Sequence, residues 1–91
     1  MEVMEVRVSH ILVDTIEQAN ELITQINNGA AFSDVAKHSK CPSGLRGGDL
    51  GSFGKGIMVP EFEQAAFNSE IGVLVGPVKT QFGWNLILRT A

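Results

Sequence analysis

Cysteines, basic clusters and long apolar runs are scarce in this 91-residue sequence, and each shortage excludes a class of protein. Cys41 is the only cysteine, so no disulfide can form within the chain, which fits a reducing compartment. The net charge is -3 and the lysines and arginines are dispersed, which argues against a nucleic-acid partner. No apolar stretch approaches the roughly 20 residues that a membrane-spanning helix needs.

Soft metal ligands are equally sparse. His38 and Cys41 stand three residues apart, which is a weak metal pattern, and His10 is the only other such ligand, so we predict no metal and no cofactor. Residues 1–8 have no signal-peptide profile. We expect one domain over residues 1–91, cytoplasmic if the chain is complete and compatible with an extracytoplasmic location if it is cut from a longer protein.

Glycine is concentrated in one segment. Six of the ten glycines fall between Pro42 and Gly56. Such a run is unfavourable for folding unless the backbone must turn tightly or approach a ligand closely. It leads directly to Met58 and Phe62, and methionine is common at peptide-binding surfaces. This combination indicates a shallow groove for a peptide-like ligand.

Apolar periodicity predicts the secondary structure. The expected elements are a strand over 5–13, a helix capped by Asp14 or Thr15 and ended by Asn28-Gly29, a short helix over 31–39, a short strand over 50–53, a helix from Pro60, and two strands joined by a turn over 81–83. This β-α-α-β-α-β-β order predicts an α+β fold, with a four-stranded antiparallel sheet and three to four surrounding helices. Residues on both faces of the first strand are apolar towards its end, which predicts a central strand.

Several side chains allow two interpretations. His10 is either a core histidine bonded to a neighbour or part of a functional site. Cys41 is either a nucleophile or a small residue that lines the groove, and no hydrolase signature accompanies it.

The large apolar residues divide between groove and core. Met58, Phe62 and Phe82 are interpreted as groove residues, because Met58 and Phe82 lie beside turns and glycines, whereas Trp84 fits groove or core. Truncating Met58 or Phe62 should therefore destabilise the fold less than truncating Leu22, which we place in the core.

Five segments, in order, resemble the parvulin family of peptidyl-prolyl isomerases, and the resemblance covers nearly the whole chain. They are Ser9-His10-Ile11-Leu12-Val13, Phe32 to Ala36 followed by Ser39, Cys41, Ser43 and Gly44, Gly47-Gly48-Asp49-Leu50-Gly51, Met58-Val59-Pro60-Glu61-Phe62, and Gly76 to Trp84. The sequence looks most like the small single-domain bacterial parvulins.

The resemblance implies a site. It assigns catalytic positions to His10, Cys41, Thr80 and Asn85, and substrate-binding positions to Leu50, Met58, Phe62 and Phe82, to which we add Trp84. Asn85 stands where parvulins usually carry a second histidine, so the paired histidines are absent. Because an amide cannot titrate, we predict a polar network that orients groups and transfers no proton.

The resemblance also implies a function, which is non-covalent acceleration of X-Pro rotation in unphosphorylated peptides and folding proteins. The connection Asp14-Thr15 is short and acidic, whereas phosphate would need an arginine cluster. The expected partners are proline-containing segments of client proteins, bound by a monomer without nucleic acid or membrane insertion. The alternative, left open by Asn85, is a weakly catalytic or non-catalytic peptide-binding domain of the chaperone type.

Overall fold

A computed structural model describes residues 4–91, which form one four-stranded sheet with helices on both faces. The strands are β1 (Glu5–Val13), β2 (Asp49–Gly54), β3 (Leu74–Thr80) and β4 (Gly83–Arg89), in the spatial order β2-β1-β4-β3 with every neighbouring pair antiparallel. The helices are α1 (Ile16–Asn27), α2 (Phe32–Val35) and α3 (Pro60–Asn68), with short 3-10 helices at Ala36–His38 and Pro42–Arg46. The predicted α+β class and element order are confirmed.

The sheet separates two apolar cores. Alternate residues of β1 point to opposite faces, so Ile11 and Val13 pack with α1 and α2, whereas Val6 and Val8 pack with α3. β1 lies between β2 and β4, as its apolar ending predicts. His10 has the parity of Val8 and therefore lies on the α3 face.

A two-residue connection joins β1 to α1. The Thr15 side chain accepts a hydrogen bond from the Gln18 amide, and the Gln18 side chain accepts one from the Thr15 amide, each at 3.1 Å. This reciprocal pair satisfies amides that a helix start would otherwise leave unbonded. Of the helices within residues 4–91, none combines the length and apolar character that crossing a bilayer requires.

The glycine-rich segment approaches the protein's own backbone. Gly48 has φ +86°, and a Cβ atom on it would lie 2.5 Å from the His10 carbonyl oxygen. A Cβ atom on Gly44 would lie 2.4 Å from the Ala36 carbonyl oxygen. At these two glycines the close approach is made within the fold, to the protein's own backbone.

Loop residues complete the hydrogen bonding of β1 on the side that faces β2. β2 pairs with β1 only as far as Ser9. Beyond it, the His10 amide donates to the Gly48 carbonyl oxygen at 2.9 Å, and the Leu12 amide donates to Ser39 Oγ at 2.9 Å. Loop residues thus replace a strand along the end of β1 and bring Cys41 beside the α3 face.

Candidate active site

A cavity of about 430 Å³ opens on the α3 face of the sheet. Its lining residues are His10, Leu12, Cys41, Leu50, Ile57, Met58, Val59, Phe62, Thr80, Phe82 and Asn85. All the predicted site residues except Trp84 are in this set. Among the described residues 4–91, those that line the cavity include no Asp, Glu, Lys or Arg. We call this cavity the pocket.

Asn85 connects the polar groups of the pocket. Its Nδ2 donates to the Val78 carbonyl oxygen at 3.3 Å and to Thr80 Oγ1 at 3.2 Å. Its Oδ1 lies 3.2 Å from His10 Nδ1. Thr80 Oγ1 also accepts from the Phe82 amide at 3.3 Å, so its own hydroxyl proton remains available to another acceptor. His10 and Asn85, two members of the predicted polar network, are therefore hydrogen-bonded to each other.

This arrangement sets the tautomer of His10. The Val78 carbonyl can only accept, so it fixes the NH₂ end of the Asn85 amide. The amide oxygen therefore faces His10, and Nδ1 must carry the proton that it accepts. It follows that Nε2 of the neutral ring carries a lone pair.

His10 is held in an apolar environment. The residue is 8% exposed, and its ring meets the Phe62 ring edge to face with centroids 5.6 Å apart. Burial lowers the pKa of His10, and the hydrogen bond with Asn85 offsets part of this effect. Within residues 4–91, Nε2 is buried and has no hydrogen-bond partner. Such an unpaired atom is uncommon among the buried polar atoms of a folded protein.

Two serines position Cys41. The Ser39 hydroxyl oxygen accepts from the Cys41 amide at 3.2 Å, and the Ser43 hydroxyl donates to Cys41 Sγ at 3.2 Å. Since Ser39 also bonds β1 at Leu12, the thiol is fixed relative to the strand that carries His10. Both serines lie in the loop motif of the sequence, but nothing there indicated their bonds to Cys41.

The apolar part of the pocket has a buried floor and an exposed rim. Phe62 is 4% exposed and packs in the α3-face core, so we now expect its truncation to cost about as much stability as that of Leu22, whereas the expectation for Met58 stands. Its ring contributes to the core and to the pocket at once. Ile57 and Phe82, which are 71% and 60% exposed, form the rim.

Trp84 does not line the pocket, which corrects its prediction as a substrate-binding residue. It neighbours Asn85 in β4, so its side chain points to the opposite face of the sheet. There it packs against the α1-face core, with Lys79 over its ring.

Three lining residues were absent from the predicted set, namely Leu12, Ile57 and Val59. Leu12 shares the strand parity of His10, so alternation along β1 could have identified it. Ile57 and Val59 lie in an irregular loop, where neither the helical nor the strand periodicity applies. No three His, Cys, Asp or Glu residues of the described part of the chain are grouped so as to hold a metal ion.

Comparisons with known proteins identify the family to which this chain is similar. A model of the PPIC-type PPIase (rotamase) domain matches residues 8–91. The foldase protein PrsA of Halalkalibacterium halodurans is 47% identical over 89 residues, which cover 96% of this chain and 27% of that protein. The crystal structure of the peptidylprolyl isomerase PrsA from Bacillus cereus matches with a TM-score of 0.92 at 43% identity, over 97% of this chain and 35% of that chain.

A shorter protein matches over its full length. The solution structure of NmPin, described as the parvulin of Nitrosopumilus maritimus, has a TM-score of 0.85 at 34% identity, and both chains are covered completely. The chain spans about a third or less of the two PrsA proteins, at 27% and 35% of their lengths.

Proposed function

Because the chain belongs to the PPIC-type, or parvulin, family of peptidyl-prolyl isomerase domains, we propose that its pocket binds a proline ring and accelerates rotation of the preceding peptide bond. The observation that carries this proposal is the hydrogen-bonded His10–Asn85–Thr80 set beside an uncharged apolar pocket. His10, Cys41, Thr80 and Asn85 form what we call the polar centre.

Catalysis of this rotation requires little more than correct orientation of the bound peptide. Rotation about a peptide bond has a barrier of about 18–20 kcal/mol because resonance is lost at the twisted state. The twisted amide has a weaker dipole than the planar one, so an apolar pocket favours it relative to water. Each tenfold acceleration needs only about 1.4 kcal/mol.

The side chains divide the work between holding and hydrogen bonding. Phe62 and Met58 hold the ring by apolar contact. Cys41 Sγ accepts from Ser43, and Thr80 Oγ1 accepts two bonds, so both keep a proton to donate to a rotating carbonyl oxygen. Burial keeps His10 neutral, and the Asn85 amide oxygen selects the tautomer that carries its proton on Nδ1. No proton is transferred and no covalent bond forms.

The pocket favours uncharged, unphosphorylated substrates. Of the residues 4–91 that the structure describes, those that line it include no cation to pair with phosphate. The connection between β1 and α1 has only two residues, and its Asp14 carboxylate is paired with Lys40. A phosphate on the residue before proline therefore finds no arginine or lysine in the pocket.

The partners follow from the pocket and from the relatives. Foldases of this family are named for work on folding chains, and we propose that this domain binds proline-containing segments of such clients as a monomer. The matching domain is part of a longer foldase in Bacillus cereus and the whole chain in Nitrosopumilus maritimus. The proposed chemistry uses only residues of this domain, so it applies in either setting and in either compartment.

Exchange spectroscopy by NMR tests the proposal without a coupled protease. Cross-peaks between cis and trans forms of a Leu-Pro peptide should appear at catalytic protein concentration, and a phosphoserine-Pro peptide of the same length should exchange more slowly. Binding of the Leu-Pro peptide without exchange would identify a peptide-binding chaperone domain instead.

A further inference from the structure

The loop between β2 and α3, residues 55–59, forms the outer wall of the pocket. Ile57, Met58 and Val59 all line it, although Ile57 is largely exposed. Loops with exposed side chains open more readily than strands and helices. The position of this wall therefore depends on the contacts that hold the loop against the rest of the fold.

Glu63 makes one such contact from the first turn of α3. Its Oε1 accepts a hydrogen bond from the Gly56 amide at 2.6 Å, across the loop. A bond to a charged acceptor is stronger than one between neutral groups. Gly56 has φ +89°, a conformation that glycine adopts readily and other residues rarely adopt.

The same helix turn also carries the pocket floor. Phe62 precedes Glu63 and packs against His10 and Phe53 in the buried core. The Gly56 bond thus connects a movable wall to a fixed floor. Within residues 4–91, Glu63 does not line the pocket and makes no hydrogen bond with the polar centre.

We propose that Glu63 is a positioning residue for substrate binding, whose carboxylate holds the 55–59 loop so that Ile57 and Met58 stand over the bound proline. This rests on the proposed function, because it assigns a role at the same pocket. When the bond is lost, a smaller fraction of molecules has a complete wall. The apparent Kd then rises in inverse proportion to that fraction, while the rate of rotation of a bound peptide stays the same.

Glu63→Ala tests the proposal, with Glu61→Ala as the matched control. Glu61 lies in the same helix turn with the same charge, and within residues 4–91 its side chain makes no hydrogen bond. If the closed loop falls to about 10–30% of molecules, Kd and KM for a Leu-Pro peptide rise about three- to tenfold in Glu63→Ala. We expect unchanged kcat in this variant, unchanged constants in Glu61→Ala, and an intermediate effect in Glu63→Gln, which keeps a carbonyl acceptor.

The Gly56 amide provides a readout that a general loss of stability would not move. In the wild type its proton should be shifted downfield and protected from exchange, and Glu63→Ala should abolish both effects. Gly56→Ala should weaken binding in the same way through its positive φ, since a Cβ atom there meets no neighbour within 4 Å. The double variant should then bind no more weakly than either single variant.

Three results would overturn the proposal. They are an unchanged Gly56 amide signal in Glu63→Ala, loss of that signal without a change in Kd, and a fall in kcat at constant KM. The amide signal and Kd do not require turnover. If the wild type binds peptide without isomerising it, the proposed function fails while these two measurements still decide the role of Glu63.

Discussion

Asn85 joins His10, Thr80 and the Val78 carbonyl through one buried amide. Leucine at this position has similar volume but leaves the Val78 carbonyl and His10 Nδ1 without their partner. Asn85→Leu should therefore reduce the free energy of unfolding by about 1–3 kcal/mol and lower the isomerisation rate. Denaturant titration and exchange spectroscopy measure the two effects.

Asn85→His is the matched replacement, because an imidazole restores a donor and an acceptor. We expect it to fold and to retain or raise activity. An Asn85→Leu variant with wild-type stability and rate would show that the amide network has no role.

His10 predicts a pH dependence of stability. Burial lowers its pKa, so between the ordinary value of 6.5 and the lower folded value the unfolded chain binds more protons than the folded one. Stability should rise with pH through this window and be lost as the pH falls through it. Unfolding in a His38→Gln background, where His10 is the only histidine, isolates the effect.

In a Cys41→Ser background, which removes the only thiol, the isomerisation rate should be constant at pH values above 6.5, since His10 stays neutral and Asn85 does not titrate. A rate that changes tenfold between pH 7 and 8 would require a titrating group that this account does not contain.

Cys41 is predicted to act as a hydrogen-bonding group without covalent chemistry. Cys41→Ser keeps a donor and an acceptor at the same place, so it should retain much of the activity. Loss of all turnover in a folded Cys41→Ser variant, together with a thiol-linked intermediate in the wild type, would contradict the non-covalent mechanism.

At the scale of elements, Gly48 and Gly51 form a matched pair. Both have positive φ, but a Cβ atom at Gly48 would meet the His10 carbonyl oxygen at 2.5 Å, whereas one at Gly51 meets nothing within 4 Å. Gly51→Ala should lower the free energy of unfolding through the strain of its positive φ alone, by on the order of 1–3 kcal/mol. Gly48→Ala should cost more and slow isomerisation, because it displaces β1 at His10. Equal losses of stability and rate in the two variants would mean that the contact with His10 is unimportant.

Elements with a regular period were predictable from the sequence. Alternation along β1 gives its bounds of 5–13 and its central position, and the parity of β4 separates Asn85 from Trp84. The error on Trp84 came from grouping it with its sequence neighbours rather than by its side of the strand.

The path of the loop beside β1 was not predictable in this way. It depends on single bonds between distant residues, such as Ser39 with Leu12 and Gly48 with His10. Irregular backbone has no period to reveal these partners. The same reason hid Ile57 and Val59 from the predicted pocket, and the family resemblance supplied the positions that periodicity could not.

At the scale of the whole molecule, the two faces of the sheet have different roles. The α1 face has an apolar core that includes Ile11, Leu22 and Leu86. The α3 face has a core that ends at the pocket, where Phe62 belongs to both. Substrate binding should therefore depend on side chains of the α3 face, and the α1 face should affect it only through stability.

The catalysed cis–trans exchange rate of a Leu-Pro peptide, compared between Met58→Ala and Leu45→Ala, tests this account most directly. Met58 lines the pocket, whereas Leu45 is 89% exposed and lies outside the lining. We predict that kcat/KM falls about tenfold in Met58→Ala, equivalent to about 1.4 kcal/mol, and stays at the wild-type value in Leu45→Ala. Equal rates in the wild type and in both variants would contradict the claim that this pocket is the site of isomerisation.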